Sequence, residues 1–381
     1  MRIKVHFPRV ENTTPTIPEE CRYGCGCQHF KKHGKESQRE NIRDTEHKRV
    51  ASQRWRCVKC NRTFRTYPPG ISNAQQSNRL KAISVLLYVL GLSYGGVADF
   101  LEALGIGIGK TTVYDNAQAA GVVSRQRQKQ DRESGQAHPV IGSDGTYVKI
   151  KGVKVGIQVV VGDSSQDLLG LELTLGENSP EVVSMIEEIA QEVEAEVLVS
   201  DDLGSYQEVA DEFGLDHQIC RSHVRRNVDE HADEIFEQLK KKEPIPEGVA
   251  SSPDQVVMDL ALLQWLIRQR PEDAAQILRQ LYHRYKPAPK PPSKKKHDVW
   301  YRMRMLITRL WNRWQRLTLD QRRDDLDGTN NASERVIGWW IKERYRTMRG
   351  YKRAESVKNI VTLTARMGAR SGHYDMTELF A

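Results

Sequence analysis

Between residues 138 and 223 the order of elements leaves few folds open. Val140–Ile150, Gly156–Gly162 and Leu168–Leu175 are short runs rich in branched aliphatic residues and bounded by glycines and acids, the pattern of strands. Ser179-Pro180 follows, with Ser at the cap and Pro in the first turn of a helix reaching about Glu194. Glu196–Ser200 is a fourth strand, Gly204–Glu212 a short helix and His217–Cys220 a fifth strand. Asp144 falls inside the first strand, and Asp201-Asp202 closes the fourth.

Strand, strand, strand, helix, strand, helix, strand is the order of a ribonuclease H-like α/β core, in which those two acids would be neighbours. The charge pattern agrees with such a site beside a polyanion. Residues 1–140 carry a net charge of +11, residues 141–220 carry −14, and residues 221–381 carry +11. An acidic centre between basic flanks suits metal chemistry on nucleic acid.

Five of the six cysteines lie within the first 60 residues. Cys57-Val58-Lys59-Cys60 is one thiolate knuckle, and Cys21 with Cys25 or Cys27 is the second, as Zn2+ requires. The expected ligand set is Cys21, Cys25, Cys57 and Cys60. Arg54, Arg56 and Arg62 interleave with Trp55 and Phe64, a pattern suited to phosphate contact.

Residues 71–122 read as a helix-turn-helix. The helices are Gln75–Leu90, one starting at a Ser93 cap, and Lys110–Ala119, the last exposing Lys110, Thr111, Thr112 and Asn116 toward a major groove. The polar stretch from Arg125 to Ala137 reads as a linker. The domain order expected is ribbon 1–70, helix-turn-helix 71–122, linker 123–138, first part of the core 139–223, helical insertion 224–325, and last part of the core with basic helices 326–381. Within the insertion, Val257–Arg270, Ala274–Tyr285 and Val299–Leu317 are amphipathic, and a Pro/Lys linker spans 286–296. The arginines of Val299–Leu317 read as a DNA grip, and its tryptophans as core.

Ser200-Asp201-Asp202-Leu203-Gly204-Ser205-Tyr206, then Cys220-Arg221-Ser222-His223, then Thr329-Asn330-Asn331-Ala332-Ser333-Glu334-Arg335 resemble, in that order, the motifs of DDE-type transposases of prokaryotic insertion sequences. The C-x-x-H is similar to that of the clade related to Mutator-like and hAT elements. The resemblance implies that Asp144, Asp201 and Glu334 hold Mg2+ (or Mn2+), with Asp202 capping the next helix. It implies supporting roles for Cys220, His223 and Asn331. Lys342, Arg344, Arg346, Arg349 and Lys352 resemble the basic segment that follows the third acid and would contact DNA.

The function expected is binding of element-end double-stranded DNA, metal-dependent strand cleavage and 3′-OH strand transfer, by a homodimer or larger assembly. The alternatives are a non-catalytic DNA-binding regulator derived from such an enzyme, and a nuclease on the same fold. No apolar run approaches the ~20 residues of a membrane span, and the N-terminus lacks a signal-peptide core, so a cytoplasmic, nucleoid-associated protein is expected.

Overall fold

The structure is a computed structural model and describes residues 4–380 apart from 12, 35–37, 73–75, 175–179, 242, 294–296, 349 and 370–372. The helix start at Gln75, the strand end at Leu175, the Ser179 cap, Lys294-Lys295-Lys296 and Arg349 lie outside the described residues.

After β1 (Lys4–His6), strands β2 (Phe30–Lys32), β3 (Gln38–Asn41), β4 (Arg49–Cys57) and β5 (Thr63–Thr66) form an antiparallel ribbon centred on β4. Alternation along β4 buries Trp55 and Cys57 against Phe64 and leaves Arg54 and Arg56 outside. Three helices follow: α1 (Asn78–Val89), α2 (Tyr94–Ala103) and α3 (Lys110–Glu133). Ser77 and Ser93 cap the first two, each side chain accepting a backbone N–H from the first turn.

One expectation fails here. No linker spans 123–138, because α3 runs unbroken to Glu133. Its polar half is held by partners distant in sequence. Arg132 pairs with Glu192 at 2.6 Å, Arg125 with Glu355 at 2.6 Å, and Asp131 accepts from Arg366 at 2.5 Å. Small residues, including Ala117, Ala120 and Gly121, let other helices approach, and a Cβ on Gly121 would stand 2.6 Å from Asn359 Cβ.

The central sheet contains, among the described residues, β6 (Val140–Ile150), β7 (Val153–Gly162), β8 (Leu168–Thr174), β9 (Val197–Ser200) and β10 (Asp216–Ile219), with α4 (Pro180–Glu192) and α5 (Gly204–Phe213) between the later strands. The spatial order is β10-β9-β6-β7-β8. β6, β7 and β8 are antiparallel, while β9 and β10 run parallel to β6. This is the ribonuclease H-like arrangement expected from the sequence.

An α-helix that the sequence reading passed over, α6 (Arg221–Leu239), leaves β10 directly. With α7 (Pro253–Gln269), α8 (Ala274–Tyr285) and α9 (Val299–Leu317) it encloses a separate apolar core that includes Leu260, Leu278, Trp300 and Ile307. Asp259 is buried there but satisfied by Gln255, Arg284 and Tyr285. The insertion is therefore a folded unit, not a string of surface helices.

The chain then returns to the sheet as α10 (Asn331–Val336), a π-helical stretch (Ile337–Lys342), α11 (Glu343–Arg346), α12 (Ala354–Ala369) and β11 (His373–Asp375), which pairs in parallel with β1. Trp340 packs closely over Gly368, while Trp339 stays 52% exposed. One continuous core joins α1–α3, one face of the sheet and α10–α12.

In the turn after β7, Asp163 is pushed up to about 6, by burial first and then by Asp327, with Arg335 opposing. Its ionisation thus opposes folding above that pH and does not below the ordinary carboxylate range. Asp163→Asn is expected to stabilise the chain by about 1 kcal/mol at alkaline pH, after allowing for solvent screening. The gain should vanish near pH 4, as denaturant melts at the two pH values would show.

Candidate active site

Pairing between β6 and β9 sets Gly142 opposite Val199. Two residues on, the same register brings Asp144 beside Asp201, which directly follows β9. Neither acid is a surface residue: both are half-buried, and Asp201 Oδ1 has no hydrogen-bond partner.

The third acid arrives on α10. Asn330, fully buried, precedes that helix and fastens it. Its side-chain amide donates to the Ser143 carbonyl at 2.8 Å, and its backbone N–H donates to Cys220 Sγ at 3.3 Å. Gly142 leaves the helix room: a Cβ there would lie 2.6 Å from Ser333 Oγ and 2.7 Å from Asn330 Oδ1. Glu334, on the first turn of α10, then reaches His223, with Oε1 3.7 Å from Nε2. The sequence reading singled out Asn331 and missed Asn330. Asn331 is half-buried at the helix start, and the Asn-Asn doublet offers no way to tell the anchor from its neighbour. Asn330→Ala should cost about 2 kcal/mol by thermal or chemical melt, since it leaves the buried Ser143 carbonyl without its donor. It should also slow catalysis by loosening Glu334.

The electrostatics are those of crowded anions. Burial, followed by the negative charges of Asp201 and Glu334, pushes Asp144 up to about 6, against the Gly145 N–H and His223. Burial, then Asp202, also raises Asp201. His223 is pushed up to about 9, first by its contact with Cys220 and then by the charges of Cys220, Asp144 and Glu334, with burial opposing. Burial pushes the Cys220 thiol up, but His223 and the N–H groups of His223 and Asn330 outweigh it, and the net shift is down. The upward shift of His223 favours the protonated ring beside the acids. Ligand atoms of Cys220, His223 and Glu334 lie within 4.8 Å of one another.

A family model for IS66 transposases matches residues 74–347, well over half of the chain. The chain belongs to the IS66 transposase family. It is accordingly a DDE-type transposase, an insertion-sequence enzyme of transposition. No curated protein matches it. Among solved structures, the Drosophila P element transposase strand transfer complex is similar over 76% of this chain and 92% of that one, at 11% identity and a TM-score of 0.38. The Mos1 transposase catalytic domain with Raltegravir and Mg is similar over 52% of this chain and 91% of that one, at 12% identity and a TM-score of 0.18.

In this transposase Asp202 does not cap α5, whose cap residue is Leu203. Its buried carboxylate is instead held by two arginines of α9, Arg309 at 2.6 Å and Arg313. A buried anion takes a cation in preference to a helix end already open to water. The other arginines of α9 are committed too: Arg302 to Glu234, Arg304 to the Ala288 carbonyl, and Arg316 to Asp211. All five thus meet protein acceptors within the chain, whereas the sequence pattern alone pointed to DNA. Of the α9 tryptophans, Trp300 is core and Trp311 is 37% exposed.

In the ribbon, the Cys21 and Cys60 sulfurs stand 3.7 Å apart and those of Cys25 and Cys57 3.5 Å apart. All four lie within 4.8 Å of one another. Cys27 points elsewhere, toward the His29 carbonyl at 3.3 Å. The four that converge are the set expected from the sequence.

The residues expected to bind DNA divide by exposure. Arg54, Arg56, Arg62, Lys110, Thr111, Lys342, Arg346 and Lys352 are exposed, and Thr112 is half-buried. Asn116 and Arg344 are buried and are corrected to structural roles. Asn116 bonds Gln76 and Ser84. Arg344 lies 4.1 Å over the Tyr88 ring and donates to Thr347, joining α1 to the last part of the core. Polar residues on a helix or basic segment read alike in sequence whether they face solvent or a neighbouring element. Lys110 and Thr111 line one groove with Lys352 and Arg353, so segments more than 200 residues apart in sequence share a surface.

Proposed function

We propose that this IS66-family transposase cuts DNA at the ends of its element and joins the exposed 3′-OH to target DNA, with Asp144, Asp201 and Glu334 as its catalytic acids. The observation that supports this reading is the register that sets Asp144 beside Asp201, with Asp144 feeling the charges of both Asp201 and the more exposed Glu334. All-oxygen donors of this kind suit Mg2+ or Mn2+, and the partnerless carboxylate oxygen of Asp201 is free to ligate such a cation. When bound, such ions make water nucleophilic and neutralise charge on the phosphate under attack. The protein residues do the rest: the acids hold the metals, Asn330 fixes α10 and His223 orients Glu334. A regulator would have no use for three acids so placed.

The converging sulfurs of Cys21, Cys25, Cys57 and Cys60 fit Zn2+, which would hold the ribbon together. On the ribbon's outer face Arg54 pairs across strands with Arg65, and Arg56 with Lys31. Like charges placed opposite one another favour an anion between them, here DNA phosphate. The start of α3, acting as the reading helix of a helix-turn-helix, and the basic turn at Lys352 would grip the same duplex. Work on paired ends calls for a homodimer or larger assembly. Among the described residues no helix is long and apolar enough to cross a membrane, and the reading places the enzyme in the cytoplasm on the nucleoid. The C-x-x-H formed by Cys220 and His223 supports a kinship with the Mutator-like clade.

The test is strand transfer with labelled DNA from the gene's own flanks and a supercoiled target. Joined product that needs Mg2+ or Mn2+ is expected. Binding without cutting at every metal tried would support the regulator, and cutting without joining the nuclease.

A further inference from the structure

Asp201 is bracketed by two residues that α9 holds. Asp202, after it, is 7% exposed and takes Arg309 and Arg313. Ser200, before it, donates to the Asp201 carbonyl at 3.0 Å and meets His217 Nε2 at 2.8 Å. On the other side of that ring, Arg316 lies 3.3 Å from Nδ1, with its second nitrogen on Asp211 at 2.8 Å. The hydroxyl proton is already given to the carbonyl, so Nε2–H donates to Ser200 and Nδ1 accepts from Arg316. Arg309, Arg313 and Arg316 are four and three residues apart, which puts them on one face of α9. That face belongs to the insertion, which has its own core.

We propose that α9 is a positioning element for the second catalytic acid, acting through Arg309 and Arg313 on Asp202 and through Arg316 on His217 and Ser200. The inference rests on the reading of Asp201 as a metal ligand. The backbone on both sides of Asp201 is tied to one rigid helix, while the Asp201 carboxylate is left without a partner on Oδ1. Such an arrangement fixes where the carboxylate points before any cation arrives, and a ligand held in place loses less freedom on binding. The insertion is then part of the catalytic site through α9, as it already is through His223 of α6 beside Glu334.

The intact chain carrying Arg309→Gln with Arg313→Gln is compared with Asp202→Asn, with Arg313→Lys, and with Arg279→Gln, an exposed arginine of α8, as control. Two quantities are read: Mn2+ bound, from loss of the free-ion electron paramagnetic resonance signal, and the Mg2+ dependence of end cleavage. The double arginine variant and Asp202→Asn should each raise half-saturating metal about tenfold in both measurements. At saturating metal, cleavage should return to within about twofold of wild type, because the variants impair metal capture and not chemistry. Combining them should add little, since they break one contact. Arg313→Lys, which keeps a charge on Asp202, should fall in between, and it decides the matter if the neutral variants do not fold. Arg279→Gln should match wild type. Unchanged half-saturation in both measurements would overturn the proposal, whatever happens to the rate or the melting temperature. Asp201→Asn separates the two readings: it should be inactive at all metal concentrations, and activity in it would overturn the acid assignment itself.

Discussion

Asp144→Asn is expected to lower strand transfer by at least about 10³-fold, or some 4 kcal/mol of barrier, with DNA binding intact. The amide keeps the shape of the carboxyl but cannot offer a second anionic oxygen to a cation. Asp144 lies in the middle of β6, paired with Val159 of β7 and two residues past the last β6–β9 pair, so the variant has every reason to fold. Its stability should move the opposite way from its activity. The carboxyl is pushed up to about 6, so the folded state holds its proton more tightly than the unfolded chain does. Ionising it costs stability above that pH, by up to about 3 kcal/mol in metal-free buffer. The penalty fades as pH falls through 6 toward the ordinary carboxylate value. Without metal at neutral pH, Asp144→Asn should therefore melt a few degrees above wild type, and at acidic pH the two should converge. Mg2+ should raise the melting temperature of wild type more than that of the variant. A variant that melted lower and still responded fully to Mg2+ would show that Asp144 serves the fold and not the metal.

Cys57→Ala should unfold the ribbon and leave the catalytic core standing. Cys57 is fully buried at the end of β4, within reach of the other three sulfurs, and the cluster around it holds little else apolar beyond Trp55, Phe64 and Phe30. Structural Zn2+ sites contribute on the order of 10 kcal/mol, more than such a cluster can replace. One equivalent of zinc should be lost, along with protection of residues 4–66 from proteolysis. End binding should weaken by about 10²-fold or more and become less steeply salt-dependent, because Arg54, Arg56 and Arg62 no longer act together. The α1–α3 unit shares its core with the sheet, so the main melting transition should persist. Cys27→Ala is the matched control, since its sulfur faces a carbonyl and not the cluster. Zinc loss in Cys27→Ala equal to that in Cys57→Ala would overturn the ligand set.

Much of this molecule follows from local pattern alone. β6 and α8 begin and end where branched aliphatics and helical spacing put them, and α9 does too. Ser77 and Ser93 cap because a hydroxyl just before a helix finds free N–H groups whatever the rest of the chain does. Asp144 inside one strand pattern, Asp201 at the end of another and each pair of cysteines are short-range arrangements of the same kind, whereas Glu334 was indicated only by the resemblance to known transposases. What tertiary structure decided is where long polar side chains end. α3 continues through the stretch that reads as a linker because Glu192, Glu355 and Arg366 are waiting for it. Arg344 and Asn116 turn inward, the α9 arginines close on Asp202, Asp211 and other acceptors, and Asn330 anchors α10 where Asn331 was expected to matter. A charged or amide group is satisfied equally well by water, DNA or a carboxylate from far along the chain. Sequence spacing carries the secondary structure, but only the folded chain determines which of those partners is within 3 Å.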